Sequence, residues 1–427
     1  MTVTASLLAS LLAVVDLGEI FSAKEAWSVP SVDFAVEHAR DGFVFASEKR
    51  DIVNCLKRGA ARWMGREVWE ARIYYAPPGG AQRVEMSLYN RGDDRFGEEY
   101  SAEKLARLIG ELSVKCGTGA KPPKPEQKKL KNGGSQFRVE WRKCDPAVTL
   151  DWGATEGRGQ GIQYVRAILT PLENGRPKAA AKPRTGAGAI ARAKTSVRRN
   201  AEGDVWIDGV PMVDQGRKGY CAAAVSERIL RYYGNDIDEH QIAQMAGSDA
   251  RSGTRTSDMV ATMKQVASKC HLGFNEIIAF GQSYDEVLKD LEAYNKTAKA
   301  LKESPIGVAD YTVGNVVNVG EMLSDMKPKV LKAMRMKDPR YKKFLQAVKT
   351  QTDKGVPLCW GVMLGIFPEP GVNMQSSGGH LRLIIGYNAK THEILYSDTW
   401  GAGHELKRMP EDWAFAITHE LFCLRPL

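Results

Sequence analysis

The sequence has no Cys-x-x-Cys pair and no Cys/His run at the spacing of a zinc site, although it contains seven cysteines. No metal is expected, and no cofactor. It has no apolar run approaching the roughly 20 residues that cross a bilayer, so no membrane span is expected. Histidine is scarce, with seven in 427 residues and His38 alone ahead of the basic stretch described next, which leaves few candidate bases. Acidic residues are missing between Asn174 and Asn200, where eight Lys and Arg sit; without them the formal charge of +9 falls to +1. That stretch also lacks aromatic side chains on which bases would stack, so it reads as a solvated tether and nucleic acid is not an expected partner.

What is present has the composition of a globular protein, with 43% hydrophobic and 26% charged residues. The length exceeds what one core organises and implies two domains of roughly 150 to 220 residues. Residues 1–26 read either as a secretory leader or as an N-terminal helix. Leu7 to Val15 is apolar and small residues follow at Ser22 and Ala23, but no Lys or Arg precedes the run and Asp16 and Glu19 follow it closely. The first reading places the chain in a periplasm or medium, the second in the cytoplasm. Seven is an odd number, which fits either one free nucleophilic thiol or a fully reduced set.

Residues 27–173 read as an α+β domain of unassigned role. Ser47 is a candidate cap for a helix to about Arg58, and Ala102 to Cys116 has helical periodicity. Val68 to Tyr75 and Arg83 to Tyr89 read as a hairpin around Pro77-Pro78-Gly79-Gly80, and Phe137 to Trp141 and Gln163 to Leu169 as further strands. Residues 174–203 form the basic linker, and 204–427 a second domain. There, helices are expected at Ala222 to Tyr233, Glu239 to Ala246, Asp258 to Ala267 and within Tyr284 to Lys349, with strands last.

Chemistry concentrates in the second domain. Cys221-Ala222-Ala223-Ala224 opens a helical run that closes at Gly234, so the thiol is expected at a helix N-terminus, where unpaired N–H groups favour a thiolate. Gln215 lies six residues earlier across a loop made tight by Gly216 and Gly219, from which its amide can return toward a developing oxyanion; the Cys221 N–H is the second expected donor. Gly378-Gly379-His380 opens an apolar strand, a rigid mount for a base. Asp398, in Ser397-Asp398-Thr399-Trp400-Gly401, ends the next strand and is placed to fix the imidazole tautomer, with Trp400 shielding that bond. His404 lies nearby as a lesser candidate. Cys270, Cys359 and Cys423 have apolar neighbours and read as inert.

The Gln-x5-Cys loop, the Gly-His strand and the Asp-x-Trp-Gly turn resemble the papain-like superfamily of cysteine peptidases over Val205 to Leu427. Val210 to Gln215, Cys221 to Ala224, Arg231-Tyr232-Tyr233-Gly234 and Gly253-Thr254 are most similar to the branch of the bacteriocin double-glycine leader peptidases and their stand-alone relatives. Asp398-Thr399-Trp400-Gly401 is closer to papain's Asn-Ser-Trp-Gly, and the helical stretch Tyr284 to Lys349 departs from the branch. The resemblance implies an α+β papain-like fold of helical part plus antiparallel sheet, in a bacterial protein. It also implies a peptide substrate cleaved through a thioester by Cys221 as nucleophile, His380 as base, Asp398 as orienting group and Gln215 in the oxyanion hole. Transglutaminase-like acyl transfer and an inactive peptide-binding module of the same fold are the alternatives.

Overall fold

The computed structural model describes residues 14–427 apart from 77–78, 94–96, 120–121, 131–133, 156–160, 179–186, 217, 248–255, 282, 315, 370 and 372–374. Most of the N-terminal apolar run, Pro77-Pro78 and Gly253-Thr254 therefore lie outside the described residues. Helices and antiparallel sheets make the chain α+β, as its sequence implies. It divides into two compact units. Unit 1 comprises Met1–Lys182, Lys218–Tyr220 and Asp238–Arg255, and unit 2 comprises Pro183–Arg217, Cys221–Ile237 and Thr256–Leu427.

Unit 1 is built on an antiparallel sheet of eight strands among the described residues: β1 (Val44–Phe45), β2 (Ile52–Cys55), β3 (Glu70–Tyr75), β4 (Ala81–Asn90), β5 (Glu126–Lys129), β6 (Gly134–Trp141), β7 (Ala147–Thr155) and β8 (Gly161–Thr170). Their order is β1-β2-β3-β4-β8-β7-β6-β5. Helix α1 (Ala102–Lys115) is capped by the Ser101 hydroxyl and buries Leu105, Leu108 and Leu112, one stripe at helical spacing, in the same core as Val84, Leu150 and Val165. A disulfide joins Cys116, at its C-cap, to Cys144.

Two expectations are corrected. The helix from Ser47 is a turn followed by β2, because Ile52 and Val53 are β-branched and all of Ile52–Cys55 is buried, while the Ser47 hydroxyl bonds the Asp51 carboxylate at 2.8 Å. Nor is the basic stretch a tether throughout: Ala187–Thr195 is a helix burying Ala189 and Ala193, and Val197–Arg199 pairs as a strand. Its alanines favour helix, and its Lys and Arg lie on the outer side of that short element. At the other end, Val15–Asp16 pairs with Ala61–Trp63 and Asp16 caps a single helical turn.

The sheet of unit 2 comprises β9 (Val197–Arg199), β10 (Asp204–Ile207), β11 (Leu272–Ala279), β12 (Leu358–Leu364), β13 (Gly378–Asn388), β14 (Glu393–Ser397), β15 (Lys407–Pro410) and β16 (Thr418–Pro426). It runs β9-β10-β13-β12-β16-β11, with β14 pairing β13 and β15. Strand β11 precedes the helices Tyr284–Ala300, Val319–Asp325, Pro328–Arg335 and Arg340–Asp353, so the strands are not all last. Those helices cover the sheet through a core that includes Leu331, Phe344, Trp360, Ile384 and Phe415. The central strand β12 is buried at every residue and apolar throughout, as a strand covered on both faces must be.

Candidate active site

Helix α2 (Cys221–Tyr232) starts at the candidate nucleophile. Three consecutive alanines favour the helix and leave its first turn without bulk, so Cys221 sits among N–H groups that have no partner inside the helix. Gly234, at φ 84, ends the element in the left-handed region. Cys221 is partly exposed, whereas Cys55, Cys270, Cys359 and Cys423 are buried.

His380 is the third residue of β13, and its imidazole is buried between the strand and the turn that follows β14. Nε2 lies 2.5 Å from Asp398 Oδ1. With that nitrogen committed to the carboxylate, Nδ1 makes no hydrogen bond and is the ring nitrogen left to act on the Cys221 thiol. The Trp400 ring stacks on the imidazole at 4.6 Å and 14°, which excludes water from the His–Asp bond. The Asp398 backbone is pinned on both sides: its N–H donates to His404 O at 2.8 Å and its carbonyl accepts from Arg228 Nη1 at 2.6 Å.

Each titrating group leans on the next. Burial pushes the Cys221 thiol up, but the hydrogen bond and charge of His380, with backbone groups of Leu381 and Ala222, outweigh it and leave the thiol below its ordinary 9.0. Burial pulls His380 down, and the Asp398 charge and hydrogen bond together with Cys221 raise it to about 9. Burial also pushes Asp398 up, whereas His380, Arg382 and the Thr399 N–H hold it well below the usual carboxylate range. The arrangement favours a thiolate–imidazolium pair.

Gln215 is buried, its N–H donates to Thr399 O at 2.9 Å, and its Oε1 accepts from the Thr399 hydroxyl. Those bonds fix the side-chain amide with Nε2 as its donating end. The structure thus pairs His380 with Asp398, sets Cys221 where it and the His380 ring act on one another, and ties Gln215 to the turn that carries Asp398. Gly401 closes that turn at φ 79, where an added Cβ would lie 2.6 Å from Asp214 Oδ2. His404 contributes its carbonyl, and its ring packs edge-on against Trp400 at 5.6 Å.

No family model and no curated protein matches the chain. Among solved structures it is similar to the peptidase domain of Streptococcus ComA, a bifunctional ABC transporter of a quorum-sensing pathway, at 11% identity over 51% of this chain and 100% of that one, with a TM-score of 0.25. It is also similar to xylellain, a cysteine protease from Xylella fastidiosa, at 14% identity over 59% of this chain and 94% of that one, with a TM-score of 0.28. Both likenesses are distant, and the chemical reading stands on the side-chain geometry.

Several residues at the site escaped the sequence reading. Arg228, two helical turns after Cys221, donates from Nε to Pro211 O at 2.8 Å and from Nη2 to Ser397 Oγ at 2.5 Å, so it joins the helix that begins at Cys221 to the strand end before Asp398. Arg382, two residues after His380 and on the same strand face, places Nη1 3.4 Å from Asp398 Oδ2. The only signal for either was a charge within an apolar segment.

Among the described residues, one other cluster has ligand-type side chains. In unit 1, Glu70, Glu239 and His240 bring candidate ligand atoms within 4.8 Å of one another. Arg72 Nη2 already lies 2.7 Å from Glu239 Oε1 and also bonds Glu70, and Lys218 Nζ bonds Glu70 and sits 3.4 Å from Glu239 Oε1. Two cations neutralise the two carboxylates, so the cluster is an ion-pair core.

Proposed function

We propose that the chain is a papain-like cysteine peptidase, with unit 2 as the catalytic region and a peptide or protein as substrate. The observation that carries this reading is the buried His380–Asp398 pair, Nε2 2.5 Å from Oδ1, supported by a Cys221 thiol at a helix start that acts on the same imidazole.

In the proposed cycle the Cys221 thiolate attacks the scissile carbonyl carbon, and the oxygen's developing charge is met by the Gln215 amide and the Cys221 N–H. His380, as imidazolium, transfers its proton to the departing amine, the C–N bond breaks, and a thioester remains. Neutral His380 then takes a proton from water, whose oxygen attacks the thioester; the acid product leaves and the thiolate–imidazolium pair is restored. Asp398 stays ionised throughout and holds the imidazole tautomer.

Cys221→Ser is expected to abolish both peptide hydrolysis and labelling by a thiol-reactive acyl probe. Normal turnover in that variant would overturn the reading. Amine incorporation with little hydrolysis would reassign the same residues to acyl transfer, and a wild-type Cys221 no more reactive than an ordinary thiol would mark a peptide-binding module.

A further inference from the structure

The carboxylate of the candidate triad has a second charged neighbour, and that neighbour is held from outside the triad. Arg382 is fully buried on β13, which makes its guanidinium costly unless its charge is matched. Both of its terminal nitrogens reach Glu369, Nη1 to Oε2 at 2.7 Å and Nη2 to Oε1 at 2.8 Å, the parallel two-bond geometry that suits a guanidinium and a carboxylate. Nη1 also faces Asp398 Oδ2 at 3.4 Å. The guanidinium is flanked by the rings of Trp360 and Tyr396, at 5.0 and 4.6 Å from their centroids, and the Tyr396 hydroxyl donates to Glu369 Oε2 at 2.8 Å.

Glu369 belongs to neither strand. It lies on the connection 365–377 between β12 and β13, which pair up to Leu364↔Gly378. Its backbone is partly exposed while its side chain is only 4% exposed, so Glu369 sends its carboxylate into the interior. From that carboxylate inward the charges alternate: Glu369 negative, Arg382 positive, Asp398 negative, His380 positive, Cys221 negative.

Other elements also face this line. Lys407 on β15 places its ammonium 6.0 Å from the Tyr396 ring and 5.8 Å from that of Trp400, and Arg228 on α2 binds the Asp398 carbonyl with Glu405 acting on its charge. Arg228 binds main chain and the Ser397 hydroxyl, and Lys407 feels the charges of Asp398 and Glu369, whereas Arg382 is bonded to both the Asp398 carboxylate and a second carboxylate.

We propose that Arg382 and Glu369 are positioning residues for the reaction: Glu369 holds and partly neutralises Arg382 against Asp398, so the Glu369–Arg382 pair sets how strongly the Cys221–His380 pair is ionised. The inference rests on the peptidase reading given above. Removing the Glu369 charge leaves the Arg382 field uncompensated, which favours the thiolate and disfavours the imidazolium. Loss of the Arg382 charge has the opposite sign.

The test is the pH profile of Cys221 alkylation in the full chain for wild type, Glu369→Gln, Arg382→Gln and the double variant. Glu369→Gln keeps hydrogen-bonding capacity toward Arg382 and Tyr396, and its midpoint is expected to move down by about half a pH unit or more. Arg382→Gln is expected to move it up, and the double variant to return it close to wild type because the two charges cancel. If Arg382→Gln does not fold, Glu369→Gln and the double variant still decide. An unmoved Glu369→Gln midpoint, or a double variant whose midpoint stays as far down as that of Glu369→Gln, would overturn the inference, since lost packing alone lowers reactivity without this return. A wild-type midpoint at the ordinary thiol value would instead sink the peptidase reading itself.

Discussion

At the level of single residues, the imidazole orientation decides the pH behaviour. With Nε2 bound to Asp398, protonation of His380 adds the proton at Nδ1, which faces the thiol. The active form needs a thiolate and an imidazolium together, so activity is lost as pH falls through the depressed thiol value and again as it rises through the His380 value of about 9. A bell-shaped kcat/KM profile with its upper limb near 9 is expected, its two apparent constants belonging to the pair. Asp398→Asn removes the anion that raises His380; the upper limb should move toward an ordinary histidine value and the rate fall by about 100-fold or more. Steady-state kinetics across pH would check both, and an unchanged upper limb would count against Asp398 as the orienting group. Cys221, His380 and Asp398 were legible because each sits in a local setting its chemistry requires: a helix start, a Gly-Gly approach to a strand, a strand end before Trp-Gly. Arg228, Arg382 and Thr399 were not, because their partners are supplied by segments far away in sequence.

At the level of elements, the helices were readable where a stripe of apolar residues meets a cap. Ser101 with Leu105, Leu108 and Leu112 is one case, and Asp238 with Gln241, which form a complete capping box on Glu239–Ala246, is another. Strand β7 was passed over because Asp151 and Trp152 interrupt its alternation, and the charge of Asp151 is matched only in three dimensions, by Arg138 and Arg166. The Cys116–Cys144 link is of the same kind, since an odd cysteine count gives no pairing. It closes a loop of 28 residues between the C-cap of α1 and the turn after β6, for which chain entropy allows about 3 to 4 kcal/mol of stabilisation. Peptide mapping without reductant is expected to recover this one linkage and free thiols at the other five cysteines. Reduction should lower the unfolding midpoint of unit 1 and leave that of unit 2 in place.

At the level of the whole molecule, the two units carry different kinds of buried charge. Unit 1 neutralises its own, with Glu70, Arg72, Lys218 and Glu239 in one cluster and Asp151, Arg138, Arg166 and Asp238 in another. Unit 2 holds a carboxyl in the opposite condition: burial, then the Glu276 charge, push Glu420 up to about 7 against a small pull from Lys264. A raised carboxyl contributes stability below its unfolded value, near 4.5, and that contribution is lost as pH rises through about 7. Glu420→Gln is therefore expected to stabilise unit 2 at pH 8 by on the order of 2 kcal/mol, seen as a higher melting temperature, and to change little at pH 4. Thermal unfolding at the two pH values checks it, and an equal effect at both would exclude the titration as cause. The α+β class, the periodic helices and the identity of the chemical groups follow from local spacing and residue type, and so could be read before any fold was known. Tertiary structure alone decided which nitrogen of His380 meets Asp398, the assignment of Lys218–Tyr220 and the helix Glu239–Ala246 to unit 1, and the match of Arg382 to Glu369. Each of these depends on segments brought together by core burial, and the energy of a buried charge is set by its neighbours in space.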